Sequence, residues 1–472
     1  MTTLRFHGSA AVLLLPLALF VAVTAMLFIS EAAFDLTGLA AAGVLTLFSG
    51  SLLAKSPSEY WKAAVRGASS ELTGTVVLIL IASGIFSAMM KASGVADGLV
   101  FLGGMLHLTG HAFTVFVLLA SSLMAAATGS SIGTLLAAMP IFFPAGVALG
   151  ADPTMLAGAV LSGAIFGDNL APVSDVTIIS SVTQRFRNGT PADIAGVVRT
   201  RLPYALIALA VSLPVYAFMG ESLPVSEAAL SGDASALLML VPVAVLIAIA
   251  ARTRDVLMAI SAGAVTGTAT GLLIGRLSFA TIFAADDGRL SGFLISGISN
   301  VSPIILLCVT LFAFTGIVRE AGVPDMMAKA LEAGSAGRPS ALRTELFLSA
   351  ATLVVTTLFA AVTSASVALV GSLTDDIGRA SNVHPYRRSH ILSGLANSLP
   401  VLMPFSAFVL ITMAAVSGLE GAAAVTPFTL MTAAFYPIAL FLVFGFMVLT
   451  GTGRMMETPE PEAAEAKTAT AL

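Results

Sequence analysis

Two carboxylates, a proline and a row of hydroxyls occupy SGAIFGDNLAPVSDVTIISS, residues 162–181, between flanks as apolar as lipid. Asp168 and Asp175 stand there with Asn169, Ser174 and Thr177, and Gly167 and Pro172 bracket Asp168. Pro172 cannot donate a backbone hydrogen bond and clashes with the preceding turn, so Gly167 and Pro172 predict an unwound stretch around Asp168. Carbonyls freed at membrane depth are tolerated only where they line protein or a water-filled cavity. Together with the five polar side chains they make a set of oxygens suited to a small hard cation. A carboxylate at the bilayer centre costs about 3 kcal/mol even on insertion scales, so its default reading is functional. Such an acid can hold a proton or a metal cation, and holding one disfavours the other.

Seven residues of unbroken helix would place Asp168 and Asp175 on nearly one face but roughly 10 Å apart. They cannot clasp one ion unless the chain unwinds between them. One of them is therefore expected to carry the cation and the proton and the other to support it or act as a gating partner; the alternative for either is a cap on the half-helix after the break. A second interruption, ATGSSIGT (127–134), offers Thr128, Ser130, Ser131 and Thr134 and reads as a break facing the first, or as small residues that let helices approach. In the second half, TSAS (363–366) and LANSLPVLMP (395–404) supply Thr363, Ser364, Ser366, Asn397 and Ser398, with Pro400 as helix breaker, and hold no carboxylate. They read as a neutral side of the same cavity. Asp375 and Asp376 are expected to pair with Arg379 and the basic turn, and His390, after Arg387 and Arg388, to sit at the membrane interface. His107 and His111 read as loop or interface residues.

The elements that must position these groups are membrane helices. The chain has 472 residues, 57% hydrophobic and 10% charged, against about 25% charged in a soluble domain. Apolar runs near 10–29, 36–54, 72–90, 202–219, 236–251, 256–275, 301–318, 344–362 and 428–449 are long enough to cross or nearly cross a roughly 30 Å hydrocarbon core as helix. A transmembrane β-barrel would show alternating segments instead. The expected fold is all-α and polytopic. Net charge −4 leaves no case for nucleic acid, and the single cysteine, Cys308, excludes an internal disulfide or a thiolate metal site. The polar tail 457–472 reads as disordered, and the N-terminal run as an uncleaved first helix.

Two broken regions, about 112–184 and 364–412, occupy matching places. A shift of 228 positions aligns ASGVAD (92–97) with EAGVPD (320–325) and NLAP (169–172) with NSLP (397–400). Lys55, Lys62 and Arg66, then Arg185, Arg187, Arg199 and Arg201, crowd two connections of the first half, whose counterparts near 283–294 and 413–429 are poor in Lys and Arg. The reverse holds for Arg319, Lys329, Arg338, Arg343, Arg379, Arg387 and Arg388 in the second half, and Glu31 and Asp35 stand opposite Arg252 and Arg254. Lys91 and Arg276 break the pattern. Cationic connections mark the cytoplasmic side, so the halves 1–218 and 237–450 are expected to cross the membrane in opposite senses. The linker 219–236 would then lie outside, and both termini, with the tail 451–472, would be cytoplasmic. Inverted repeats with interrupted helices at matching positions point to a secondary transporter with its site at the midplane.

The segments ATGSSIGT and LAGAVLSGAIFGDNLAPVSDVT resemble the NhaC-type sodium/proton antiporters of the ion-transporter superfamily, specifically over about residues 121–180. Gly167, Asp168, Pro172, Ser174, Asp175 and Thr177 match the family signature; Asn169 stands where Lys is usual, and Ala171, Val176 and Ile178 replace Ser, Thr and Asn. The resemblance implies a helical fold with re-entrant or broken helices, Na+ (or Li+) exchanged for H+ at the inner membrane without a cofactor, and a homodimer with elevator-type movement. Some relatives exchange organic acids or amino acids. Such a carrier would need a buried Arg or Lys, or half-helix N-termini pointing at the anion, and no Arg or Lys falls inside the broken regions away from their ends. An intramembrane aspartyl protease would draw one Asp from each of two helices, whereas these share one segment; a passive channel would need no titratable group.

Overall fold

The computed structural model describes residues 4–8, 10–27, 36–221, 223–225, 234–253, 255–286, 289–323 and 340–457. Glu31, Asp35, Arg254, Asp287, Lys329, Arg338, much of the 219–236 linker, residues 458–472 and the Asp376 side chain lie outside that description. Among the described residues the architecture is all-α apart from one antiparallel hairpin, Ala284–Asp286 with Arg289–Ser291. Among them seven helices are long and apolar enough to cross a membrane, and two further helix pairs qualify together across a bend. The chain is a multi-pass membrane protein.

The first half runs α1 (Leu14–Ala25), α2 (Leu36–Leu53), α3 (Pro57–Ala68), α4 (Glu71–Ser93), α5 (Val95–Met105), α6 (Gly110–Thr128), α7 (Ser131–Ala148), α8 (Pro153–Leu170), α9 (Asp175–Val182) and α10 (Ile194–Phe218). The second half runs α11 (Leu240–Thr253), α12 (Val256–Leu273), α13 (Phe293–Glu320), α14 (Ala341–Leu358), α15 (Thr363–Ala380), α16 (Pro385–Ala396), α17 (Ala407–Val416), α18 (Pro427–Ala433) and α19 (Phe435–Thr450).

Local chemistry sets each break. Helix α6 stops at Gly129, whose φ of +69° suits a residue without Cβ. The Ser130 hydroxyl then caps α7 by accepting from Gly133 N at 3.1 Å. Helix α8 opens on Pro153 behind an Asp152 cap and ends where Ala171, φ −65° and ψ 123°, takes the extended conformation that a following proline demands. Ala171–Ser174 therefore interrupt one long span, Pro153–Val182. In the second half the chain bends by 52° between Pro385–Leu402 and α17, with Pro400 in the short 3-10 turn Leu399–Leu402, and by 54° at Ala434 between α18 and α19.

One sequence expectation changes here. Gly167 is not part of the break but sits inside α8, packed face to face with α6. A Cβ on it would meet Ser122 O, lie 2.5 Å from Ala126 N and 2.6 Å from the Ala125 Cβ. Gly163, one turn earlier, is pressed against Ser121 and Ser122 in the same way. Two glycines four apart let the helix backbones approach, which fixes the height of the next residue, Asp168, against α7. Gly167→Val is expected to destabilise the protein by about 1–3 kcal/mol through overpacking, read as a lower melting temperature in detergent; an unchanged melting point would show that α6 and α8 separate easily.

Polar connections gather at two opposite ends of the α8–α9 span. At one end Gly150 O accepts from Leu223 N, Asp152 from Glu221 N, and Ala424 O from the Thr154 hydroxyl. At the other, Asp375 takes Arg388 at 2.7 Å, Arg379 at 3.2 Å and Arg185 N at 2.8 Å, while Glu457 takes Arg187 N at 2.7 Å. Asp375 thus forms the salt bridge expected of it.

Candidate functional site

Asp168 lies in the last turn of α8 and is only 5% exposed. Ser131, the first residue of α7, donates to its Oδ2 at 3.0 Å, and the Ser174 hydroxyl faces the same carboxylate from the break. The two first-half interruptions lie back to back: a Cβ on Gly129 would stand 2.5 Å from Val173 Cγ2 and 3.2 Å from Ser174 N. A carboxylate, two hydroxyls and the backbone of two broken helices therefore converge. Thr128 lies 3.4 Å from Thr134, hydroxyl to hydroxyl, beside this point, and Ser130 is committed to its cap.

Asp175 is placed differently from the expectation that it joins Asp168 as a metal ligand. It is exposed, at the first position of α9. There a negative charge complements the exposed backbone N–H groups, which is the capping alternative. Pro172 is exposed as well.

The residue missed in the sequence is Arg201. It was grouped with the cationic connection of Arg185, Arg187 and Arg199, but α10 begins at Ile194 behind an Asp193 cap that accepts from Gly196 N, so Arg201 lies two turns inside the helix. It is fully buried. Its Nη1 donates to Asn169 Oδ1 at 3.3 Å and to the Ser393 hydroxyl, and its Nη2 to the Thr177 hydroxyl at 2.9 Å. The signal was present in the pattern: Val197, Arg201, Ala205, Ala208, Leu209, Ser212 and Tyr216 form the buried stripe of α10, and an arginine on such a stripe points inward. Asn169, the neighbour of Asp168, bridges the halves: its Oδ1 takes Arg201 and its Nδ2 donates to the Tyr436 hydroxyl at 3.2 Å. Around the Ala434 bend, Tyr216 donates to Ala433 O at 2.7 Å and accepts from Phe435 N at 3.0 Å, and Ser162 accepts from Tyr436 N at 3.2 Å. Side chains of the first half thus satisfy backbone groups that the second half's break sets loose.

The second-half candidates make no hydrogen bond to Asp168 among the described residues. Thr363 opens α15 and is buried, Ser364 is half-buried, and the Ser366 and Ser398 hydroxyls donate to Val362 O and Leu395 O at 2.9 and 2.7 Å. Asn397 is 1% exposed, and neither its Oδ1 nor its Nδ2 has a partner. Helix α16 faces α9 through Ser389, 2.9 Å from the Ser180 hydroxyl, and through Ser393 at Arg201, which holds Thr177. Advancing four residues along α16 retreats three along α9, so the two run antiparallel, and the next turn brings Asn397 toward the level of Ser174. His390, expected at the membrane interface, is fully buried within the protein, its Nε2 2.7 Å from the Thr200 hydroxyl.

The fold and this site define a polytopic membrane protein with a buried acid at interrupted helices. Residues 3–221 match the Na+/H+ antiporter family. The chain is 25% identical over 309 residues to the malate-2H+/Na+-lactate antiporter of Bacillus subtilis, covering 61% of this chain and 64% of that protein. It is 39% identical over 104 residues to the Na+/H+ antiporter NhaC of Alkalihalophilus pseudofirmus, 21% of this chain and 22% of that one. With the arginine/ornithine antiporter ArcD of Halobacterium salinarum it shares 27% identity over 208 residues, 41% and 42% of the two chains. The matches thus span less than two thirds of each relative's length. These relatives are transporters, not enzymes.

Proposed function

We propose that this protein is a secondary active transporter in which Asp168 alternately carries a small cation, Na+ or Li+, and a proton. The observation that carries the reading is a carboxylate buried beside two chain breaks, with the Ser131 and Ser174 hydroxyls on it. Carboxylate, hydroxyl and freed carbonyl oxygens are the ligands a hard monovalent or divalent cation takes. The same carboxylate, once protonated, no longer offers its charge, so one ion displaces the other. Two relatives are named for coupling sodium to protons, which supports the same coupling here.

The proposal includes two inverted halves, 1–218 and 237–450, joined by 219–236. In its support, α14 to α19 repeat the order of α6 to α10 at nearly constant spacing, with α18 and α19 together standing for α10. The α7–α8 connection also joins one polar end of the protein, while its counterpart between α15 and α16 joins the other. The charge pattern supports a cytoplasmic placement of the Arg185 and Arg388 end.

Purified protein in liposomes holding a preset pH gradient is expected to discharge that gradient on addition of Na+ or Li+, followed with an entrapped pH dye. No response to any alkali cation removes the reading.

A further inference from the structure

The residues before α1 form a short antiparallel ladder with the connection between α2 and α3. Lys55 N donates to Arg5 O at 2.9 Å and His7 N to Leu53 O at 3.0 Å, on either side of the bridge between Phe6 and Ala54. Leu4 N, donating to Glu320 O at 3.1 Å, fixes the same segment to the end of α13. Phe6 and Ala54 are buried. Side chains alternate along a strand, so Arg5 and Lys55, directly opposite with Cα atoms about 5.5 Å apart, share the outer face. Both are exposed. Like charges opposed in this way repel. Among the described residues neither has an ion-pair partner. Of the two acids close by, Glu59 takes Lys62, and both oxygens of Glu320 take Arg66. Arg319 adds a further exposed cation beside Glu320.

The surface next to this pair is apolar. Leu45, Phe48 and Leu52 are exposed as a stripe on α2 that ends just before Lys55, and the Phe48 ring meets Trp61 edge-on at 5.8 Å. Helix α3 buries Tyr60, Ala63 and Ala64 and exposes Trp61, Lys62, Val65 and Arg66. Its Gly67 is pressed on α13, where a Cβ would stand 2.9 Å from Gly316 Cα. A short helix with such faces, carrying tryptophan, suits the level of the lipid headgroups. Lys91, near the far end of α4, donates to Gly418 O, in the loop that also carries Ala424. The α3 end of α4 is therefore the end that holds Arg185 and Arg388.

A phosphodiester between the opposed cations would accept parallel bonds from the Arg5 guanidinium and face the Lys55 ammonium. Repulsion across the ladder would become attraction. An acyl chain of the same molecule would follow Leu52, Phe48 and Leu45. A zwitterionic headgroup would bring its own ammonium to a place already rich in cations, and a free phosphate would make no use of the stripe. We propose that Arg5 and Lys55 form a headgroup site for one anionic phospholipid, which fastens the residues before α1 to α2 and α3. The site stands apart from the Asp168 reading.

The test uses the full chain, delipidated in a nonionic detergent. Bound lipid is counted by native mass spectrometry, and the melting temperature is followed with phosphatidylglycerol, phosphatidylcholine of the same chains, and glycerol 3-phosphate. Phosphatidylglycerol is expected to bind roughly tenfold more tightly than phosphatidylcholine or better and to raise the melting temperature. Glycerol 3-phosphate is expected to do neither. Lys55→Gln is expected to melt higher than the wild type without lipid, because the opposed charges are relieved, and to gain less from phosphatidylglycerol. Lys55→Glu, which supplies Arg5 with a counter-ion across the ladder, is expected to lose the preference between the two lipids. Lys62→Gln, whose ammonium serves Glu59, is expected to keep it. The proposal is overturned if the wild type shows no preference for phosphatidylglycerol, or if the preference survives both Lys55 variants. Equal stabilisation by glycerol 3-phosphate also overturns it, since the pair would then be a site for free phosphate.

Discussion

Asp168→Asn is expected to reduce cation-driven proton release to the background of protein-free liposomes while leaving the melting temperature nearly unchanged. Asparagine keeps the volume and still accepts from Ser131, so packing survives, but it can neither release a proton nor supply the charge that holds a cation. Asp175→Asn serves as the contrast. Its carboxylate is exposed at the start of α9, where a helix-terminus charge is worth about 0.3–1 kcal/mol. Transport is therefore expected to change by less than about fivefold. Equal loss in both variants would mean that the two acids act as one site, and the separation of roles drawn from their burial would be wrong. The pair of variants thus tests the placement of the carrier and not only the presence of acids in the segment.

The largest effect on stability is expected from Glu345→Gln. Glu345 and Arg387 are both fully buried, and Arg454 closes on the same carboxylate. Arg387 also donates to Met447 O at 2.7 Å and Thr452 O at 2.9 Å. The cluster ties the starts of α14 and α16 to the end of α19, at the polar end that also holds Asp375. Removing the one negative charge leaves two cations facing each other across a neutral amide, one of them without access to water. Breaking a buried pair from one side costs about 3–5 kcal/mol. Replacing the pair together, Glu345→Leu with Arg387→Met, is expected to regain part of that loss, the remainder reflecting the orphaned carbonyls of Met447 and Thr452. Thermal unfolding in detergent measures both. A loss below about 1 kcal/mol for Glu345→Gln would indicate that water reaches the cluster and screens it.

Much of the candidate site was legible from neighbouring residues alone. Pro172 forces Ala171 out of the helix whatever surrounds it, and Gly129 supplies the left-handed stop that ends α6. Breaks flanked by apolar runs, with an acid beside one of them, follow from those facts and from the cost of unsatisfied backbone in lipid. The second half's break was legible in the same way at Pro400, and the bend at Ala434 had a local signal in Pro437, which has no N–H to give the Ala433 carbonyl four residues earlier. What was not legible is that the freed groups are satisfied by Tyr216 and Ser162, more than 200 residues away in sequence.

What the chain determines by itself is therefore the class of element and the location of its discontinuities, since a pyrrolidine ring, a missing Cβ and a twenty-residue apolar run act within one or two turns. Tertiary structure decided which charges are dry. Asp168 and Asp175 share one segment, yet close packing of Gly163 and Gly167 on α6 buries the first, and the start of a new helix leaves the second exposed. Arg201 and Arg199 share one basic cluster, yet only Arg201 points along the inward stripe of α10 to Asn169 and Ser393. Solvation depends on what another helix brings to the same place, and that partner is written elsewhere in the sequence.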